Sequence, residues 1–121
     1  MPNYYVDGFV IPVPTKNLAT YQKIAKKASK IWREYGALEY RECVGDDLNI
    51  KDMLGFPTIA KAKAGETVIF AYIVYKSRAH RDKVNAKVMA DPRLKDMCDG
   101  KDMPFDCKKM AYGGFKTIVA A

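Results

Sequence analysis

The sequence predicts an α+β domain in which two β-α-β halves share one antiparallel sheet. Three observations predict it. Aromatic and β-branched runs stand at 4–14 and 67–76, and each is followed by a segment with apolar residues every three or four positions. A further strand-like run, KMAYGGFKTIVAA, closes the chain. With 121 residues, 49% of them hydrophobic and 12% aromatic, the chain has the size and apolar content of a single domain, 1–121.

The opening strand, YYVDGFVIPVP, stops at Pro12 and Pro14. Its small positions Val6, Gly8 and Val10 are expected beneath a helix, and its bulkier set Tyr5, Asp7, Phe9 and Ile11 on the other side. From Thr15, read as an N-cap, Leu18, Tyr21, Ile24, Ala25, Ala28, Ile31, Trp32 and Tyr35 recur at helical spacing. Lys16, Lys23, Lys27 and Lys30 fall on the opposite side, and Gly36 ends the helix. ALEYRECV (37–44) reads as a second strand, with neither alternating face cleanly apolar, so its inward side stays open. After the polar connection GDDLNIKDMLG, PTIAKAKAGETVIFAYIVYKS reads as a hairpin: a weak extra strand at about 57–63, a turn near Ala64-Gly65, and a strong strand at 67–76. Ser77 caps a second helix, RAHRDKVNAKVMA, with His80, Val84 and Val88 on one face. Asp91-Pro92 ends that helix and starts one further turn, RLKDM, before the polar loop CDGKDMPFDC.

The order is that of a ferredoxin-like βαββαβ domain, with one short extra strand, and both helices on one face of the sheet. Strands carrying Phe9, Ile11, Phe70 and Tyr72 offer too much apolar surface for a wet second face. A homodimer closed by sheet-to-sheet packing is expected.

The net charge of +7 resides in the helices, +5 over residues 15–35 and +3 over 78–90, the pattern of solvated helix faces. Three cysteines without a CxxC pair argue against a disulfide framework or structural zinc site. The start has no signal-peptide pattern and no run approaches membrane-spanning length, so a cytoplasmic location and no membrane partner are expected.

Four stretches carry a resemblance: YVDGFVIPVP, YGALEYREC, VNAKVMADPRLKDM, and MPFD followed by KKMAYGGF. Together, over nearly the whole chain, they resemble the YbaA-like family of uncharacterised bacterial proteins. The resemblance implies a dimeric α/β-barrel, the architecture shared with antibiotic-biosynthesis monooxygenase-like and similar small domains. It implies no reaction, since one fold hosts unrelated functions, and it carries over no catalytic residue. After MPFD the family pattern usually has glycine where this chain has Cys107, so the resemblance makes that position a turn.

Asp7 is the acid of greatest interest, because a carboxylate in mid-strand must find partners or take up a proton. As a general base oriented by Tyr72 or Tyr112 it would suit proton abstraction from a small acidic substrate. The preferred reading is an Asp held by Arg41, a lysine or backbone amides across the sheet. Glu42 either pairs with Asp7 as a second carboxylate or binds a cation across the strands. Arg81 and Asn85, one turn apart, can reach a ligand or a neighbouring strand end, and Arg78 with Asp82 reads as a surface pair. His80 is read as a partly buried packing residue, Asp106 as a turn or cap residue, and Cys107 as a bystander at a loop-to-strand junction. Gly113-Gly114 lacks the context of a phosphate loop and reads as a bulge or close approach within a strand. The acids Asp46, Asp47 and Asp52 do not follow EF-hand spacing. No metal or cofactor is assigned. The functional expectation is binding or transformation of a small organic ligand in a pocket by the sheet. The alternatives are an RNA-binding module using the lysine face of the first helix, disfavoured for want of interleaved aromatics, and a structural dimer without a ligand.

Overall fold

A computed structural model describes residues 4–98 and 103–121, the side chains of 96–98 excepted; residues 99–102 of the expected polar loop lie outside the described residues. The chain runs through β1 (Tyr5–Pro14), α1 (Leu18–Glu34), β2 (Glu39–Val44), a one-turn helix α2 (Phe56–Ile59), β3 (Glu66–Tyr75), α3 (Arg78–Met89), α4 (Pro92–Cys98) and β4 (Ala111–Lys116). The strands form one antiparallel sheet in the order β2-β3-β1-β4. This is the ferredoxin-like α+β arrangement expected from the element order. Among the described residues, no helix is long and apolar enough to cross a membrane.

Two corrections concern local structure. The stretch at 57–63 is not a strand. Pro57 occupies the first turn of α2, where its missing N–H costs nothing, and Lys61 takes φ 54°, which an extended strand does not admit. Thr15 does not cap α1 either. It opens a 3-10 turn, Thr15–Asn17, and no side chain caps α1 itself. The Asn17 amide instead donates to the Pro104 carbonyl at 3.1 Å and so ties the start of α1 to the segment before β4. The other ends follow expectation. Gly36, at φ 113°, supplies the left-handed turn after α1, and Ser77 Oγ accepts from the His80 N–H at 3.1 Å at the start of α3.

Register settles which side of each strand faces the helices. Ile11, Val13, Ile69 and Ala71 pack with Tyr21 and Ala25 of α1, and Ile73 and Tyr75 pack with Ile31, Val84 and Val88. Phe9 pairs with Ala71 and Asp7 with Ile73, so the bulky set of β1 lies under the helices and Val6, Gly8 and Val10 lie on the other face. This reverses the expectation. The bulky strand side chains pack under α1, whose buried face carries Ala25 and Ala28 between the larger Tyr21 and Ile31. Each fully buried aliphatic residue such as Ile11 or Val88 contributes roughly 2 kcal/mol of transfer free energy.

The open face therefore carries Phe70 and Tyr72 as expected, but not Phe9 and Ile11. It holds Val6, Val10, Val74 and Phe115 instead, with Phe70 44% and Phe115 62% exposed. Phe56 of α2 leans edge-on against Phe70 at 6.3 Å between ring centroids. At the far end of α1, buried Asp91 accepts from Arg93 and from the Tyr35 hydroxyl, while Arg93 also reaches Glu34 at 2.8 Å, fastening α4 to α1. The guanidinium of Arg93 and the Tyr35 hydroxyl hold the Asp91 carboxyl well below the usual carboxylate range.

Candidate functional site

β2 resolves its ambiguity through pairing: Tyr40 opposes Ile73, Glu42 opposes Ala71, and both residues of β2 thus project to the helix side. On the same face Asp7 opposes Ile73 from β1 and Tyr112 opposes Phe9 from β4. These side chains border a cavity of about 530 Å³ between the sheet, α1, α3 and the segment 103–110. Its walls are mostly apolar and aromatic, among them Phe9, Trp32, Phe105 and Met110. Asp7 and Glu42 both face it, on strands separated by β3, which at strand spacing puts their backbones on the order of 10 Å apart.

The two carboxylates have different surroundings. Asp7, 1% exposed, accepts from Arg81 Nε at 3.0 Å, from the Tyr112 hydroxyl at 3.2 Å and from Asn85 Nδ2 at 3.5 Å. Asn85 Oδ1 in turn accepts from Trp32 Nε1 and from the Tyr75 hydroxyl, each at 3.1 Å. Arg81 also pairs with Asp82 at 2.8 Å and lies over the Tyr5 ring, 5.1 Å from its centroid. Burial, reinforced by the Asp7 charge, raises the phenols of Tyr75 and Tyr112 above their ordinary values. A buried ion pair is tolerable only when its remaining polar atoms are satisfied, and these are.

Glu42 is held by phenols instead. Oε1 accepts from the Tyr21 hydroxyl at 2.5 Å and Oε2 from the Tyr40 hydroxyl at 2.7 Å. Burial first, and Glu42 second, push both phenols far above the ordinary tyrosine value, so they stay protonated donors. Among the described residues Glu42 enters no ion pair. Chemically, this end of the cavity offers a fixed acceptor, and the Asp7 end offers a charge already matched.

The structure brings together Asp7, Tyr112, Arg81 and Asn85, and sets Glu42 across the cavity rather than against Asp7. Tyr72 is not part of the group. It lies on the open face, where its hydroxyl donates to Glu39 at 3.1 Å, so it cannot orient Asp7. Arg41 likewise belongs to the open face and pairs with Glu39 at 3.1 Å; the cation on Asp7 is Arg81. Cys107 borders the cavity but is exposed, in a 3-10 turn whose start is capped by Asp106 accepting from the Lys108 N–H at 3.0 Å. His80 packs edge-on against Tyr75, and its Nδ1 accepts from the Lys76 N–H at 3.0 Å. The β1–β4 register is unbroken through Gly113 and Gly114, so they form no bulge, and it is Gly114 that makes a close approach, to Tyr5 and Arg81. Trp32, Tyr21, Tyr40 and Phe105 join the site without having been singled out. Trp32 and Tyr21 carry the same 3.6-residue signal as core positions, and nothing in spacing separates a cavity wall from a core. Among the described residues no group of three or more His, Cys, Asp or Glu side chains gathers as a metal site requires.

Comparison with known proteins agrees with this architecture. Solved structures with the same fold include a NIPSNAP family protein of unknown function from Agrobacterium tumefaciens (TM-score 0.59, 13% identity, 96% of this chain and 89% of that one). A dimeric ferredoxin-like protein from an uncultured marine organism also matches (TM-score 0.55, 10% identity, 100% and 98%). At these identities the likeness concerns the fold. In sequence, the chain is 43% identical over 115 residues to the uncharacterized protein YbaA of Escherichia coli K12, covering 95% of this chain and 97% of that protein. The Shigella flexneri protein of that name matches to the same extent. The family model described as a protein of unknown function, DUF1428, matches residues 4–107. The chain therefore belongs to the YbaA-like family, DUF1428, as its four ordered motifs imply.

Proposed function

We propose that the chain is a homodimeric protein that binds a small organic molecule in the cavity between its sheet and its helices. The observation that carries this reading is the placement of two carboxylates, Asp7 and Glu42, on a cavity of about 530 Å³ otherwise walled by aromatic and aliphatic side chains. Apolar volume with a few convergent polar groups is how small-molecule sites are built, and this volume lies within their usual range. A purely structural dimer has no need of it. The lysine face of α1 is exposed, as an RNA-binding surface would have to be, but it has no aromatic side chains for bases to stack on.

Thermal-shift screening of a small-molecule library against the wild type and Ala28→Phe tests the cavity. Ala28 is buried on the cavity wall, so phenylalanine there occupies the space. Compounds that raise the melting temperature of the wild type and not of the filled variant are expected. Equal shifts in both would remove the ligand from the cavity.

The dimer reading draws on the open face, where Phe70 and Phe115 stand 44% and 62% exposed beside Val6, Val10 and Val74. A dimeric ferredoxin-like protein shares the fold. Sedimentation of wild type and Phe70→Glu is expected to give a dimer and a monomer. A monomeric wild type would end this part of the proposal.

A further inference from the structure

We propose that the cavity selects a monocation, an amine or quaternary ammonium carried on an apolar body, and that Glu42 receives the positive group. The inference rests on the cavity being the binding site and names the chemistry of its occupant.

Charge carries the first half of the argument. Asp7 meets Arg81 at 3.0 Å, so that end of the cavity is neutral as it stands. Glu42 has no such partner among the described residues; the Tyr21 and Tyr40 hydroxyls fix both its oxygens and leave its charge in place. Lys26 is the cation to consider. It lines an adjoining groove between α1 and β2 that shares Tyr21, Tyr40 and Glu42 with the cavity, but it is exposed there and forms no ion pair among those described. A carboxylate beside apolar walls gains most from a cation that arrives with its own apolar surface. An anion would be repelled, and a neutral occupant would leave the charge unmatched.

The aromatic surroundings carry the second half. Tyr21 and Tyr40 bring their rings to Glu42 with their hydroxyls. Trp32 stands 5.9 Å from the Tyr40 ring, and Phe105 meets Tyr21 edge-on at 5.4 Å. Aromatic side chains thus line the cavity around this one carboxylate, and an alkylammonium group is attracted to aromatic rings as well as to the charge.

Benzyltrimethylammonium and its uncharged isostere neopentylbenzene separate charge from shape. Both can be titrated against the emission of Trp32, the chain's one tryptophan, which sits in the cavity wall. The cation is expected to bind about tenfold more tightly than the isostere in the wild type. Glu42→Gln, which keeps an acceptor and the side-chain volume, is expected to erase that preference and leave the isostere unchanged; Glu42→Met, also uncharged and of similar volume, serves if the glutamine variant does not fold. Equal or tighter binding of the isostere in the wild type overturns the inference, and so does a preference that survives in Glu42→Gln. If the isostere alone binds, and Ala28→Phe abolishes it, the charge inference falls while the cavity reading stands. Binding of neither probe overturns the inference, and the library screen then decides the cavity reading by itself.

Discussion

Asp7 and Glu42 project from the same face of one sheet into the same cavity, yet one is finished and the other is not. Asp7 is matched by a guanidinium and two neutral donors, and its partners come from α3 and β4, elements more than seventy residues away in sequence. Glu42 is matched only by two phenols, one from its own strand. The contrast teaches that a buried acid is not by that fact a functional one. The Asp7 end closes the fold by tying α3 and β4 to β1. The Glu42 end keeps a charge that no cation among the described residues matches.

The contrast breaks first on stability. Asp7→Ala takes from Arg81, at 17% side-chain exposure, its buried partner and leaves it only the exposed Asp82, and it also removes the acceptor of Asn85 and Tyr112; a cost of about 3 kcal/mol by denaturant unfolding is expected. Glu42→Gln removes no paired cation and keeps acceptor capacity for one of the phenols, so about 1 kcal/mol is expected. Equal costs at the two sites would dissolve the distinction.

A smaller effect separates the ends in alkali. The Tyr21 and Tyr40 phenols are raised by burial and by Glu42, so they favour the folded state below the ordinary tyrosine value of 10.0 and lose that contribution as pH rises above it. Phenolate absorbance is expected to show exposed tyrosines titrating normally and this pair appearing only with unfolding. Tyr40→Phe should lessen the fall of stability above that pH. A fully reversible titration of all tyrosines in the folded state would refute it.

The smallest effect belongs to neither carboxylate and sets the pH at which they are compared. Burial first, then Lys76 and Lys83, hold the His80 imidazole below its ordinary value of 6.5. Its contribution to stability is therefore present above that value and is lost as pH falls through it toward the folded-state value. His80→Gln is expected to flatten this part of the pH–stability curve. An unchanged slope would count against burial and the neighbouring lysines as the source of this pH dependence.

The fold was legible wherever a local signal fixed it. The period of α1, the cap at Ser77 and the stop at Gly36 each depend on residues a few positions apart. Which side of β1 faces the helices did not, because it is decided by packing against α1 and by register with β3, which no local pattern in β1 reveals. β2 gave no answer from alternation, since Tyr40, Glu42 and Val44 are as mixed as Glu39, Arg41 and Cys43; its pairing with β3 decides it. Of the site, the identities of Asp7, Glu42, Arg81, Asn85 and Tyr112 could be read as candidates. Their grouping could not, because the bond from Arg81 to Asp7 spans seventy-four positions and charge complementarity alone fits Arg41 equally well. Tyr72 shows the same gap, since a phenol one residue out of phase lies on the opposite side of the sheet, and which side that is emerges only once register is known.

The adjacent glycines of β4 carry opposite mutational fates. A methyl group on Gly113 would meet only the Phe115 ring at 3.8 Å, an ordinary contact. On Gly114 it would collide with Tyr5 and with the guanidinium of Arg81, which cannot step aside without releasing Asp7 and Asp82. In a saturation library, position 113 should accept alanine while position 114 admits nothing but glycine, so one letter of the terminal strand is spelled by an ion pair on a helix two elements away.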